Sequence, residues 1–267
     1  TIEYNYKRAK LAWYTINQVF YGLGATPPGV SADDLSRAET RQINYRELFP
    51  NQQLDITQNS LIRTLDLAYF PHERGSYNFD TGINVNPDGT FKDPATRWAG
   101  ITRPLTTNNF DQANVEYIQF WMMDPYENYS ISTEEGLPEG LDWSDASNQV
   151  GDLYFNLGNI SEDINKDNRK MYENGLPEIG GTENTTPTLW GKVPANPSII
   201  YAFSEEDAAR ANQDLGFDGL SDQEEISKAI SEFNITDSQI SAMFKGDPAS
   251  DNFQFFRGGS LDSEGAS

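Results

Sequence analysis

An acidic stretch, DLGFDGLSDQEE at residues 214–225, has the residue types and the spacing of a calcium-binding loop. In an EF-hand loop, positions 1, 3, 5, 7, 9 and 12 supply oxygen ligands, and position 6 is glycine. The residues that match ligand positions here are Asp214, Asp218, Leu220 through its carbonyl, Asp222 and Glu225. Calcium is a hard cation that prefers such oxygen atoms. The spacing therefore predicts a calcium site made by these five residues.

Position 3 of this loop is Gly216, which has no side chain to donate an oxygen. The spacing also resembles the calcium loops of thrombospondin type 3 and dockerin repeats, which carry an acid at that position. Since calcium needs about six or seven oxygens, water would have to fill the gap, at a cost in affinity. The stretch also fits a metal-free acidic turn, because Ser221 and Glu224 have the spacing of a helix capping box. The sequence leaves both interpretations open.

Cysteine and histidine, two residue types that often perform catalysis, are scarce in this chain. It has no cysteine and one histidine, His72, which excludes thiolate chemistry and a His-rich zinc site. A serine hydrolase would need His72 as its base, and no GxSxG motif accompanies it. Glu162 and Asp163 are candidates for glycoside chemistry, but that mechanism depends on a carboxylate separation that adjacency does not supply. We expect these two acids to be solvated and the protein not to be an enzyme.

Aromatic residues offer an alternative binding function. Four tryptophans lie in the central part of the chain: Trp98, Trp121, Trp143 and Trp190. Such residues can stack on sugars, although aromatic residues in β-sandwiches more often belong to the core. The alternative to the interpretation developed below is therefore a carbohydrate-binding module with structural calcium.

The composition narrows the classes of partner. The formal net charge of −22 repels phosphate backbones, so we expect no nucleic-acid binding. No apolar run approaches the roughly 20 residues of a membrane-spanning helix. The chain begins at Thr1 without a charged and apolar leader, and we expect it to be a soluble part of a larger protein.

The elements that would position these residues change in type along the chain. Strand composition or alternation marks four stretches, at residues 61–70, 115–123, 152–158 and 198–203. The stretch 115–123, VEYIQFWMM, is apolar on both faces, as in a central strand covered on both sides. Long connectors rich in Pro, Gly and Asn favour the non-local strand pairing of a β-sandwich or jelly roll.

We therefore predict a mainly β protein with a small helical appendix near its C-terminal end. Residues 1–60 form an extended segment and a loop, and residues 61–203 form the β-sandwich. Residues 204–250 form the appendix, because capping patterns begin at Ser204, Ser221 and Thr236 and apolar residues follow at helical spacing. Residues 251–267 become rich in Gly, Ser and acidic residues and are predicted to be a linker.

Seven phrases resemble the SprA/Sov family, the very large outer-membrane translocons of type IX secretion and gliding motility in Bacteroidota. The phrases are KRAKLAWYTI, LDLAYFPHERGSYNF, RWAGITRPLTTNNFDQANVEYIQFWMMDPY, GDLYFNLGNISEDINKDNRKMYENGLPE, LWGKVP, ARANQDLGFDGLSDQEE and DPASDNFQFFRG. They occur in the family's order and are spread along most of the chain, from residue 7 to residue 258. The third and fourth phrases also resemble carbohydrate-binding modules with the galactose-binding jelly roll, in agreement with the predicted sandwich.

The resemblance implies a non-catalytic structural and interaction domain beside the translocon pore. Its implied partners are the rest of the translocon barrel, other type IX secretion components and secreted cargo proteins. Its implied place is extramembrane at the outer membrane, on the periplasmic or the cell-surface side. It implies no catalytic residues and no certain cofactor, and the family tolerates glycine at the position of Gly216.

Overall fold

The fold is given by a computed structural model, and part of the chain is described. The described residues are 2–22, 24, 26, 29–37, 39–55, 60–103, 105, 107, 109–123, 151–159, 176–177, 185–188, 191–196, 204, 206–210, 213, 216, 218 and 220–252. The chain divides into two compact units. Unit 1 consists of Thr1–Trp13, Leu67–Ile101 and Asn159–Ala266, and unit 2 consists of Tyr14–Asp66, Thr102–Gly158 and Ser267.

Short paired strands make up the β-structure of unit 1. Strand β1 (Ala9–Tyr14) pairs with β4 (Asp66–Arg74), whose ends extend to the boundary of the unit. Strands β5 (Thr185–Thr188) and β6 (Gly191–Pro194) form a separate antiparallel pair. Two 3₁₀ helices, Ile2–Lys7 and Pro94–Thr96, flank the first pair along the chain.

The described residues of unit 1 then form the helices α2 (Asp207–Arg210), α3 (Asp222–Phe233) and α4 (Asp237–Met243). Helix α3 begins with the capping box expected from the sequence, in which Glu224 Oε2 accepts from the Ser221 backbone N–H at 2.9 Å. Helix α4 begins in the same way at Thr236. Between them Asn234 adopts a left-handed φ of 54°, which ends α3 and turns the chain into α4.

The α3–α4 pair packs on the segment that follows β4 and forms the main core of unit 1. Its buried members are Tyr77, Phe79, Ala229, Ile235, Ile240, Phe244 and Ala249. The rings of Phe79 and Phe233 lie 4.9 Å apart, which joins the segment to the end of α3. The Tyr77 backbone N–H also donates to the Ala249 carbonyl at 2.7 Å. The residues after α4 are thereby held against the residues after β4.

Unit 2 contains shorter elements. Strand β2 (Ile43–Asn44) pairs antiparallel with β3 (Leu61–Ile62), and helix α1 (Tyr45–Leu48) follows β2 directly. Two 3₁₀ helices, Gln18–Tyr21 and Asp34–Ser36, precede them.

Of the four predicted strands, one is present in part, two are absent and one lies outside the described residues. The stretch 61–70 contains β3 and most of β4, separated by a break, and β4 continues past Pro71 to Arg74. Among the described residues β4 pairs with β1 alone, and proline is tolerated in such an edge strand. The predictions for 115–123 and 152–158 are wrong, since these residues have no strand structure and expose their apolar side chains. An apolar or alternating sequence pattern shows which side chains suit a strand, but it does not show which backbone would pair with it. A strand forms only when a second strand offers hydrogen-bond partners.

The β-sandwich, the jelly roll and the domain bounds stay predictions, because the stretch 198–203 and long connectors lie outside the described residues. In the described part of the chain, no helix has the length and apolar character needed to span a bilayer.

Candidate metal centre

Three carboxylates from separate parts of unit 1 meet in space. They belong to Asp218, Glu225 and Asp251, and each offers an oxygen that lies within 4.8 Å of the oxygens of the other two. Asp218 and Glu225 are buried, and Asp251 is half-buried. We call these three side chains the carboxylate cage. Two of them belong to the loop in which the sequence predicts calcium, and the third comes from the segment after α4.

Different elements position the three cage residues. Asp218 lies in the turn before α3, where its Oδ1 accepts from the Leu220 backbone N–H at 3.0 Å. Glu225 lies in the first turn of α3, which the capping box at Ser221 fixes. Asp251 follows α4, and its Oδ2 accepts from the Tyr77 hydroxyl at 2.5 Å. The cage therefore joins the helical part of unit 1 to the segment that follows β4.

Gly216 makes the approach of Asp251 possible. Its φ is +52°, in the left-handed region, and it is buried. A Cβ atom at this position would overlap Asp251 Oδ2, and it would lie 2.5 Å from Asp251 Cγ and 2.7 Å from the Tyr77 hydroxyl oxygen. The Asp251 carboxylate thus fills the space into which a position-3 side chain of the loop would project.

Glu225 is the most constrained member of the cage. It is 2% exposed, and its Oε2 has no hydrogen-bond partner among the described residues. Burial raises the pKa of Glu225 to about 10, and the next causes are the carboxylates of Asp251, Asp218, Asp247 and Asp222. Burial also raises the pKa of Asp247, although backbone N–H groups of Ser250 and Asn252 oppose that shift. Without a cation, the cage therefore favours a protonated Glu225.

This pKa gives a pH dependence of stability that can be measured in EDTA. The folded-state pKa of about 10 lies above the ordinary 4.5, so folding binds a proton. The free energy of unfolding should then fall as pH rises above 4.5, by about 3 kcal/mol up to pH 7. Glu225→Gln should remove this part of the slope and be the more stable protein at pH 7. Urea unfolding of both proteins at pH 5 and pH 7 measures it, and parallel pH curves would contradict it.

The other predicted metal ligands have different positions. Asp214 lies outside the described residues. Leu220 is half-buried and contacts the cage through the backbone N–H that it donates to Asp218. Asp222 is exposed at the start of α3, where its Oδ2 accepts from Asn252 Nδ2 at 3.4 Å. The sequence patterns do not identify Asp251 as a ligand, because it lies in the predicted linker. The one signal for it was the glycine at a ligand position, because that glycine leaves room for a ligand from elsewhere.

The remaining candidates do not form a site in the described part. His72 is exposed on β4, and its backbone carbonyl accepts from the Phe91 N–H at 2.9 Å. Glu162 and Asp163 lie outside the described residues, as do Trp143 and Trp190.

The two described central tryptophans belong to different units. Trp98 lies in unit 1 beneath the Arg8 guanidinium, which is 5.4 Å from the ring centroid. Trp121 lies in unit 2 and is exposed.

Comparison with protein-family models matches none of them, and comparison with curated proteins gives no significant match. The SprA/Sov resemblance therefore stays a prediction, together with the partners and the place at the outer membrane that it implies.

Proposed function

We propose that this chain is a non-catalytic structural and interaction domain of a SprA-like outer-membrane translocon. The proposal rests on the resemblance of the seven phrases to that family, and these phrases are spread along the chain from residue 7 to residue 258. The function would be to form part of the wall, cap or lining beside the pore. The domain would lie outside the membrane, on the periplasmic or the cell-surface side.

Exposed apolar side chains in unit 2 support an interaction role. They lie on two segments, 115–123 and 151–158, and are Val115, Tyr117, Ile118, Phe120, Trp121, Met122, Met123, Leu153, Tyr154, Phe155 and Leu157. The rings of Phe120 and Phe155 lie 5.1 Å apart, so the two segments are neighbours. Soluble proteins rarely expose an apolar patch of this extent without a partner. We propose that the patch packs against the remainder of the translocon chain.

The charge of the chain suits the same role. A net charge of −22 keeps the exposed surface soluble and disfavours adhesion to acidic cargo that passes nearby. The translocon barrel is thus the partner that would cover the patch, whereas other secretion components and cargo would meet the charged surface.

The experiment changes Trp121 and Leu153 to serine in the full-length parent protein, in a bacterium that uses type IX secretion. These side chains are 69% and 60% exposed, so the change should leave the domain folded. We expect export of type IX cargo to fall about tenfold or more, because buried apolar contacts with the barrel are lost. Outer-membrane insertion is measured in parallel and should be normal.

The matched control is Ile83→Ser, which alters a side chain that is 86% exposed and belongs to unit 1. It should leave export unchanged. Normal export in both variants would contradict the proposal. Glycan binding by the isolated chain that Trp121→Ser abolishes would instead favour the carbohydrate-binding module.

A further inference from the structure

We propose that Asp218, Glu225 and Asp251 bind a calcium ion, and that Asp251 supplies the ligand that the loop lacks at position 3. Binding at this site does not depend on the translocon function proposed above. The ligand set differs from the one that the loop spacing predicts, because one ligand comes from a segment beyond α4. The site is thus a property of the folded unit and not of the 214–225 stretch alone.

The separation of the carboxylates fits calcium. Calcium–oxygen distances are about 2.3–2.6 Å, so two oxygens on opposite sides of one ion can be roughly 5 Å apart. The cage oxygens lie within 4.8 Å of one another, which places all three within reach of one such ion. Magnesium requires a near-ideal octahedron at about 2.0–2.1 Å and gives up its water reluctantly, so we expect it to bind more weakly to three carboxylates fixed by separate segments. The all-oxygen donor set also disfavours zinc, which prefers nitrogen and sulfur.

Glu225 is an independent indication that the cage holds a ligand. Its Oε2 is buried in unit 1 without a hydrogen-bond partner among the described residues. A buried carboxylate oxygen in that state is costly, and buried charges are normally paired or bound to metal. The charges that act most strongly on Glu225 are carboxylates, which add to the cost. A divalent cation would remove both penalties at once.

The absence of a side chain at Gly216 allows the Asp251 carboxylate to pack directly against the loop. The Asp251 carboxylate occupies the space that a Cβ at residue 216 would need. The Tyr77 hydroxyl donates to Oδ2 of the same carboxylate and so fixes its direction. Two hydrogen bonds hold the residues after α4 in place. The Ser76 hydroxyl donates to the Ser250 carbonyl at 2.8 Å, and the Tyr77 backbone N–H donates to the Ala249 carbonyl at 2.7 Å.

A bound ion would therefore cross-link separate segments of unit 1. It would connect the turn before α3 and the first turn of α3 to the residues after α4. Those residues are already bonded to Ser76 and Tyr77, so the effect of the ion would extend to the segment that follows β4. Such an ion stabilises the folded state by RT ln(1 + [Ca²⁺]/Kd), so the free energy of unfolding continues to rise with the logarithm of the calcium concentration after the site is filled.

The test uses the full chain after removal of metal with EDTA. Isothermal titration with CaCl₂ should show one site. Scanning calorimetry should show a melting temperature about 5 °C higher when calcium is 100-fold above Kd. Magnesium should bind more weakly. KCl at the same ionic strength should give a smaller shift, which separates binding from screening of the acidic surface.

Three variants make the result specific. Asp251→Asn and Glu225→Gln should each weaken calcium binding at least tenfold, whereas Glu232→Gln, an exposed site on the same helix, should bind normally. Glu225→Gln should remain folded even if Asp251→Asn does not, because burial suits a neutral carboxamide. Normal binding by Glu225→Gln, or by a folded Asp251→Asn, would overturn the proposal. Equal melting shifts in CaCl₂ and KCl would also overturn it.

Discussion

Gly216→Asp should destabilise the protein by about 4 kcal/mol and weaken calcium binding, although it places an acid at the ligand position that the loop lacks. The left-handed backbone costs a non-glycine residue about 1 kcal/mol or somewhat more. Overpacking of a filled site costs roughly 1–3 kcal/mol further, because the new Cβ would lie 2.5 Å from Asp251 Cγ. The new carboxylate would also add a negative charge beside the cage. Urea unfolding and calcium titration measure the two effects.

Gly246→Asp is the matched control for this prediction. Gly246 has a φ of +89°, and a Cβ there would meet nothing within 4 Å. It should therefore show the backbone cost alone, about 1 kcal/mol, and bind calcium normally. Tighter calcium binding by Gly216→Asp would instead mean that the loop works with its own position-3 ligand and that Asp251 is not part of the site.

The parts of the site that are local in sequence could be predicted. The capping boxes at Ser221 and Thr236 span four residues each, and the structure has helices α3 and α4 where these boxes place them. Asp218 and Glu225 also follow from spacing within one short stretch. Asp251 could not be found in this way, because its approach to Gly216 depends on how α3 and α4 fold back. No spacing rule describes that return.

The strands show the same limit for a different physical reason. The apolar stretches 115–123 and 152–158 satisfy the patterns of strands, yet a strand exists only when another backbone pairs with it. The pattern identifies apolar side chains but not what covers them. In the described part of unit 2 these side chains are exposed, and this exposure is the observation that turns a predicted core into a proposed interaction surface.

Arg74→Met should destabilise the protein by about 4 kcal/mol, because this one guanidinium organises the segment after β4. Its Nη1 donates to the Asn78 carbonyl, and its Nη2 donates to the Asp80 carbonyl at 2.9 Å. The guanidinium carbon also lies 4.1 Å from the centroid of the Phe244 ring, at the end of α4. Methionine keeps much of the side-chain volume but removes the donors to the buried Asn78 carbonyl and the half-buried Asp80 carbonyl, together with the cation–π contact.

Charge alone does not explain the role of Arg74, and a second variant separates charge from geometry. Burial lowers the pKa of Arg74 to about 10, so the group is still protonated at neutral pH. Arg74→Lys keeps a charge but cannot reach both carbonyls with a planar fork, so it should cost about 2 kcal/mol. Arg41→Ala, which removes an exposed 2.9 Å ion pair with Glu47, should cost less than about 1 kcal/mol. Urea unfolding of the three variants gives the order. If Arg74→Met costs no more free energy of unfolding than Arg41→Ala does, the Arg74 guanidinium does not hold the Asn78–Asp80 segment. The packing of Tyr77 against the residues after α4 would then depend on the apolar core and on backbone hydrogen bonds.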